Sequence, residues 1–189
     1  LAVIPFGPAF KVLGRDAGNL QIADVNAGLL YMIGISSLGV YSVFLAGWSS
    51  SNKYSLLGAL RSSAQMFSYE LTLGLSVVTV LMAAGTFQLS GSVASQGNGF
   101  WNWWIFSPQW LVIPGLTGFG LFLISGFAET NRLPFDLPEA ETELVAGYHT
   151  EYSSMKFAMF FMAEYMNMIV VSSIATTLFL GAWHAPLPF

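Results

Sequence analysis

The carboxylate side chains of this sequence are concentrated in residues 128–165, between two apolar stretches. Only 8% of the residues are charged, yet seven of the ten carboxylates lie in this segment. Ionisable groups at or inside a bilayer are costly, and chains keep them where they pair, line water or move protons. The segment is therefore the strongest indication of function. Its carboxylates are Glu129, Asp136, Glu139, Glu141, Glu143, Glu151 and Glu164.

The middle of this segment predicts a short helix with a marked beginning and end. Asp136 suits the N-cap position, with Glu139 three residues later as in a capping box. Gly147 suits the left-handed position that follows a helix. At helical spacing Asp136, Glu139 and Glu143 share one face, while Glu141 points elsewhere. The alternative for this part is a solvated loop helix whose acids favour the positive end of its dipole.

A second group of carboxylates lies within or at the ends of apolar stretches. Glu70 and Glu164 lie inside such stretches, and Glu129 ends another. At 1.5 Å per residue, Glu164 is roughly 12 Å from the start of its helix. Three carboxylates at similar depth predict a set that carries protons and titrates together. The alternative for Glu70 and Glu164 is an ion pair with a nearby base: Arg61, Arg132 or Lys156.

The elements that must position these groups are membrane-spanning helices. The chain is 54% hydrophobic, and its uncharged runs of about 20 residues are long enough to cross a bilayer. We predict an all-α, polytopic transmembrane protein in which residues 1–189 form a single membrane domain. We expect four full spans, the end of a truncated span and a large acidic cytoplasmic loop. The spans are 26–48, 66–87, 111–128 and 156–183, the truncated span ends at 1–6, and the loop is 129–155.

The connections between spans carry most of the basic residues. Residues 10–25 predict a small extramembrane hairpin with its turn at 14–19. Residues 49–65 are polar and rich in serine, which predicts a partly helical loop. The balance of basic residues between the two sides of the membrane predicts a cytoplasmic acidic loop. Lys53, Arg61, Arg132 and Lys156 lie on one side, against Lys11 and Arg15 on the other.

The composition excludes several classes of chemistry for this chain. It has no cysteine, so iron–sulfur ligation and c-type haem attachment are excluded. The net charge of −4 argues against nucleic acid as a partner. No glycine-rich nucleotide loop follows a predicted strand. His149 and His184 lie at opposite membrane faces and cannot jointly hold a haem. We predict no catalytic residue, no metal site and no cofactor bound by this chain.

Two stretches of the sequence resemble a known family. Residues 24–70 read DVNAGLLYMIGISSLGVYSVFLAGWSSSNKYSLLGALRSSAQMFSYE. Residues 126–169 read GFAETNRLPFDLPEAETELVAGYHTEYSSMKFAMFFMAEYMNMI. The first stretch resembles the third span, the loop and the start of the fourth span of the quinone-chamber subunit in the membrane arm of the NADH–quinone oxidoreductases (respiratory complex I). The second stretch resembles the large cytoplasmic loop of that subunit and the helix after it. That family has about eight spans, so the resemblance implies that the first and last spans are absent from this chain.

The resemblance implies a place in a proton-pumping enzyme of the bacterial plasma membrane. Quinone enters a chamber between this subunit and the peripheral subunits, which carry FMN and iron–sulfur clusters, and the small membrane-arm subunits lie beside it. Reduction of quinone is coupled to proton transfer along buried carboxylates. The matching quinone-chamber residues are Arg132, Asp136, Glu139, Glu141 and Glu143. The matching proton-pathway residues are Glu70, Glu129, Glu151 and Glu164.

Two other functions are open to the sequence. A related quinone oxidoreductase fed by ferredoxin or another donor would use the same kind of subunit, because the donor site lies on other subunits. A secondary transporter would use buried carboxylates to couple ions to a solute, and such proteins have repeated halves and helices broken at mid-membrane. Neither feature is evident in the sequence. A purely structural anchor would leave the glutamates within the spans unexplained.

Overall fold

The computed structural model describes residues 1–8, 10–12, 15–18, 20–97, 99–106, 112–135 and 147–184. Over these residues the chain is helical apart from one short antiparallel hairpin of β1 (Phe10–Val12) and β2 (Arg15–Gly18). Short 3-10 turns occupy Phe100–Asn102 and Gly147–His149. The α-helices are α1 (Gly28–Ser36), α2 (Leu38–Ser49), α3 (Lys53–Ala84), α4 (Leu89–Ala94), α5 (Val112–Glu129) and α6 (Ser154–Phe179).

Among the residues that the structure describes, three helical stretches are long and apolar enough to cross a membrane. They are Gly28–Ser49, which comprises α1 and α2, then Lys53–Ala84 and Ser154–Phe179, with 22, 32 and 26 residues. The apolar stretch Gly115–Glu129 of α5 is shorter. Large apolar side chains on the long helices point outward, as at Met82, which is 81% exposed. The chain therefore has the build of an integral membrane protein, and the count of four full spans stays a prediction.

The hairpin differs in detail from its predicted form. Val12 pairs with Arg15 and Lys11 pairs with Asp16, with an irregularity between Phe10 and Lys11. The second strand therefore occupies part of the segment 14–19 in which the turn was predicted. Because Arg15 already pairs with Val12, the residues from Arg15 to Gly18 form a strand.

The chain divides into two compact units. The first comprises Leu1–Ile33, Gly74–Phe122 and Val170–Phe189. Its core contains Phe122 and Phe179, both fully buried with ring centroids 5.5 Å apart. The Gln96 side chain is also fully buried there, and its amide nitrogen donates to the carbonyl oxygens of Ser92 and Thr177 at 3.3 and 3.0 Å. Its amide oxygen accepts from the backbone N–H groups of Trp104 at 3.5 Å and Gly181 at 3.0 Å.

The second unit comprises Gly34–Leu73 and Leu123–Ile169. Its core is a cluster of Val43, Ala46, Ala59, Met66 and Tyr148, against which Val40, Tyr152 and Phe160 pack. All the carboxylates that were assigned to the proton pathway lie in this unit.

The serine-rich stretch before Met66 was predicted to be a partly helical loop, and it is helical from Lys53 onward. Helix α3 already begins at Lys53. The side-chain oxygen of Asn52 accepts a hydrogen bond from Tyr54 N–H at 3.0 Å, as an N-cap residue does. Small residues recur on one face of the helix, and Ser55, Ala59 and Ser62 are all completely buried. The serines therefore form a tightly packed helix face.

Candidate functional site

Three predicted carboxylates meet in the second unit, each supplied by a different helix. Glu70 lies on α3, Glu129 is the last residue of α5, and Glu164 lies on α6. Glu129 is buried, with 8% of its surface exposed, and the Glu164 side chain is 14% exposed. Glu70 is half-buried. We refer to Glu70, Glu129 and Glu164 as the carboxylate cluster.

Neutral side chains donate hydrogen bonds to two of the cluster members. The amide of Asn167 donates to Glu129 at 3.5 Å, and Glu70 is close enough to Glu129 for the two carboxylates to interact electrostatically. The Ser37 hydroxyl donates a hydrogen bond to Glu70. Asn167 lies three residues after Glu164, so both side chains share one face of α6. The three helices thus bring their carboxylates to a single polar region.

The C-terminus of α5 determines where the following basic residue lies. Asn131 has a left-handed backbone with φ of 50°, and its N–H donates to the carbonyl of Ala128 at 3.4 Å. The N–H of Arg132 donates to the carbonyl of Phe127 at 3.1 Å. This pair of bonds is the Schellman arrangement, in which the left-handed residue is usually glycine and sometimes asparagine. The backbone of Arg132 is therefore held against the end of α5.

Arg132, which precedes the loop acids in the chain, contacts the carboxylate cluster. Its Nη2 lies 3.3 Å from Oε1 of Glu164, and its guanidinium carbon lies 5.2 Å from the centre of the Tyr165 ring. An arginine keeps its charge at all relevant pH values and can stack on an aromatic ring while it pairs with a carboxylate. This contact fits the ion-pair alternative for Glu164, and the role of Glu164 in a proton pathway stays a prediction. The sequence assigned these two residues to separate groups.

Three polar side chains at this site escaped the sequence analysis: Ser37, Gln65 and Asn167. Gln65 on α3 donates through Nε2 to the carbonyl oxygens of Ala128 and Phe135, at 2.9 and 2.8 Å. A signal for Asn167 was available, because an amide inside an uncharged apolar helix often bonds to a neighbouring helix. The sequence around Gln65 did not indicate a contact between helices, because the stretch 49–65 was predicted to be a partly helical loop.

Glu151 lies apart from these contacts. Its side chain is exposed, which differs from the expected buried position, and it accepts a hydrogen bond from the Asn52 amide at 2.6 Å. It lines an open cavity of about 630 Å³. The other lining residues are Ser49, Ser50, Tyr152, Ser153, Ser154, Met155 and Lys156.

The four loop acids Asp136, Glu139, Glu141 and Glu143 lie outside the described residues, as does their predicted helix. The structure describes the chain again from Gly147, which has a φ of 59°, the left-handed conformation predicted for it. This glycine packs closely on α3, since a Cβ added to Gly58 would lie only 2.8 Å from its Cα. The Ser55 hydroxyl donates to the carbonyl of Tyr148 at 3.1 Å. Helix α3 therefore holds the stretch that begins at Gly147, after the loop acids.

His149 is enclosed by aromatic rings. It is 5% exposed, and the rings of Phe157, Phe160 and Phe161 have centroids 5.7 to 5.9 Å from its own. Such surroundings suit a packing role for the imidazole. Within the described part of the chain, no group of three or more histidine, aspartate or glutamate side chains could hold a metal ion.

Comparison with known proteins gives consistent matches over the whole chain. A family model described as NADH dehydrogenase matches residues 1–188. The curated relatives are NADH-quinone oxidoreductase subunits designated H. The one from Koribacter versatilis is 55% identical, and the match covers 100% of this chain and 54% of that protein. Its counterpart from Solibacter usitatus is 54% identical over 100% of this chain and 46% of its own length. The Paraburkholderia xenovorans protein is 50% identical, and the match covers 100% of this chain and 53% of that protein. The chain spans about half the length of these curated relatives.

Proposed function

The chain belongs to the NADH dehydrogenase family, and we propose that it is part of the membrane subunit of a proton-pumping NADH–quinone oxidoreductase. In that role it helps to form the quinone chamber and couples quinone reduction to proton transfer. The observation that best supports this role is the contact between Arg132 and Glu164. It links the segment that leads into the loop acids with carboxylates contributed by three helices.

The proposed coupling begins at the loop acids. Reduction of a quinone to a quinol consumes protons as well as electrons, and partner subunits supply the electrons. Loss of a proton from Asp136, Glu139, Glu141 or Glu143 adds a negative charge close in sequence to Arg132. Because Arg132 stays protonated, its attraction is then divided between that new charge and Glu164. A change at the quinone therefore alters the electrostatic field at the carboxylate cluster.

The cluster passes this change between helices. Glu164 and Asn167 share a face of α6, and Asn167 contacts Glu129, which interacts with Glu70. An amide orients a carboxylate but does not carry its proton, so protons move between carboxylates through water. Buried interacting carboxylates exchange protons as a coupled set. Exposed Glu151, beside its cavity, would connect such a set to water at one end.

The same proposal includes the setting of the chain. It lies in the plasma membrane of a bacterium, crosses it four times and has its acidic loop in the cytoplasm. Its partners are peripheral-arm subunits that carry FMN and iron–sulfur clusters, small membrane-arm subunits, quinone and lipid. The chain itself binds no cofactor.

Charge-neutral substitution in the cluster tests the proposal. We expect Glu164→Gln and Glu129→Gln, made in the full-length subunit within its complex, to lower NADH:quinone reduction and proton pumping together. Asp24→Asn is the matched control, because Asp24 is an exposed carboxylate hydrogen-bonded to Gln88 and Ser90 in the first unit. Inverted membrane vesicles report quinone reduction and acidification, and NADH:ferricyanide activity reports the amount of assembled complex.

The outcomes separate the candidate functions. Normal pumping and quinone reduction in both cluster variants would refute the assignment of the proton pathway. Reduction of quinone by ferredoxin, with no activity from NADH, would favour the ferredoxin-fed relative instead.

A further inference from the structure

One side chain on α3 holds the turn that carries Arg132. The Nε2 atom of Gln65 donates to the carbonyl of Ala128 at 2.9 Å and to the carbonyl of Phe135 at 2.8 Å. A longer contact of 3.4 Å reaches Oδ1 of Asn131. An amide nitrogen has two hydrogens, so the two short bonds use its full donor capacity.

These two acceptors lie on either side of Arg132 in the chain. Ala128 belongs to the last turn of α5, where helix carbonyls lack intrahelical partners. Phe135 is the last residue of the turn, and its own N–H donates to the carbonyl of Arg132 at 2.7 Å. Gln65 therefore joins the beginning and the end of residues 128–135 through one amide group.

A neighbouring residue on α3 supports the same turn. The ring of Tyr69 packs edge-on against the ring of Phe135, with centroids 5.4 Å apart. Tyr69 lies four residues after Gln65, so both side chains project from one face of the helix. The turn is thus held by hydrogen bonds and by an aromatic contact from the same helix face.

We propose that Gln65 is a positioning residue, which fixes the turn 128–135 on α3 and thereby sets the guanidinium of Arg132 against Glu164. This inference rests on the proposed function and adds a residue to it. Gln65 itself does not exchange protons, and it acts only through the position of Arg132. Its loss loosens the turn, so that Arg132 no longer meets Glu164 in a fixed geometry.

The test compares Gln65→Met with Gln88→Met in the complete complex. Methionine has a similar length and no donor, and Gln88 makes an exposed hydrogen bond to Asp24. We expect Gln65→Met to lower kcat for quinone reduction by about fivefold to tenfold, the scale set by loss of a hydrogen bond to a positioned group. The KM for quinone and the NADH:ferricyanide activity stay unchanged. Gln88→Met behaves as the wild type.

Two further variants distinguish positioning from a general structural role. In the Glu164→Gln background, Gln65→Met should cause no additional loss, because the interaction that it positions is already absent. Gln65→Glu should regain activity relative to Gln65→Met as the pH falls, because a protonated carboxyl again donates to a carbonyl oxygen. A merely structural role predicts additive losses in the double variant.

Each outcome bears on one of the two proposals. Loss of the assembled complex in Gln65→Met, additive losses in the double variant, or an unchanged kcat overturns the positioning role. If Glu164→Gln alone retains full activity, the proposed proton pathway fails. If Glu164→Gln is impaired while Gln65→Met is normal, only the inference about Gln65 fails.

Discussion

Replacement of Gly58 by alanine tests how closely α3 packs against Gly147 and Tyr148. An added Cβ would lie 2.8 Å from the Cα and carbonyl carbon of Gly147 and 2.9 Å from the nitrogen of Tyr148. Ordinary contact between carbon atoms begins at about 3.5 Å, so the two backbones must separate by roughly 0.7 Å. The obstructing atoms belong to the backbone and cannot rotate away. Overpacking of this kind costs about 1–3 kcal/mol.

The opposing effect is the helix preference of alanine. Alanine is favoured over glycine within a helix by about 1 kcal/mol. Gly74→Ala in the same helix isolates this gain, because a Cβ at Gly74 meets nothing within 4 Å. Gly74→Ala should therefore stabilise α3 without disturbing Gly147, whereas Gly58→Ala should loosen the segment that begins there.

Hydrogen exchange in the assembled complex measures the difference. The Tyr152 N–H, which donates to the carbonyl of His149 at 2.8 Å, reports opening of this segment. A cost of about 1–3 kcal/mol corresponds to roughly 5- to 150-fold faster exchange in Gly58→Ala than in Gly74→Ala. Equal exchange rates in the two variants would show that α3 does not hold the segment through this close approach.

Two further substitutions test the supports of each unit. Gln96→Leu removes the four hydrogen bonds that this buried amide makes to backbone groups, which should destabilise the first unit by about 3 kcal/mol or more and reduce the assembled complex on native gels. Gln88→Leu, which removes an exposed hydrogen bond to Asp24, should leave assembly normal. Equal amounts of complex in the Gln96→Leu and Gln88→Leu variants would contradict the structural role of Gln96. Asn52→Ala removes the N-cap of α3 and the hydrogen bond to Glu151, at a cost of about 0.5–2 kcal/mol. The midpoint of thermal inactivation should fall, Asn52→Ser should largely restore it, and an unchanged midpoint would argue against capping.

Helix length shows where sequence patterns suffice and where they do not. Apolar composition alone predicted helices in the regions of α2, α3 and α6, because lipid imposes an average hydrophobicity that is visible along the chain. The extent of α3 before Met66 was underestimated, because serine-rich sequence predicts a loop that is only partly helical. Ser55 and Ser62 are buried only because another segment packs against that face. Composition therefore does not distinguish a polar loop from a helix face of small residues.

The candidate site was likewise predictable from the sequence only in part. The presence of Glu70, Glu129 and Glu164 in apolar surroundings was evident from the order of residues, since each carboxylate interrupts an uncharged run. Their mutual approach was not evident, because it depends on how three helices rotate about their axes when they pack. Glu151 shows that the order of residues does not predict burial, since it belongs to the same acidic segment and yet is exposed.

Composition and the order of residues were enough to establish the class of protein, the stretches of strongest hydrophobicity and the family to which the chain belongs. These properties are local, so they can be read one segment at a time. The pairing of Arg132 with Glu164, and the hold of Gln65 on the turn that carries Arg132, became evident only in the folded chain. The physical reason is that a hydrogen bond or an ion pair requires approach to within about 3–4 Å. Residues far apart in the chain reach that distance only when their helices pack.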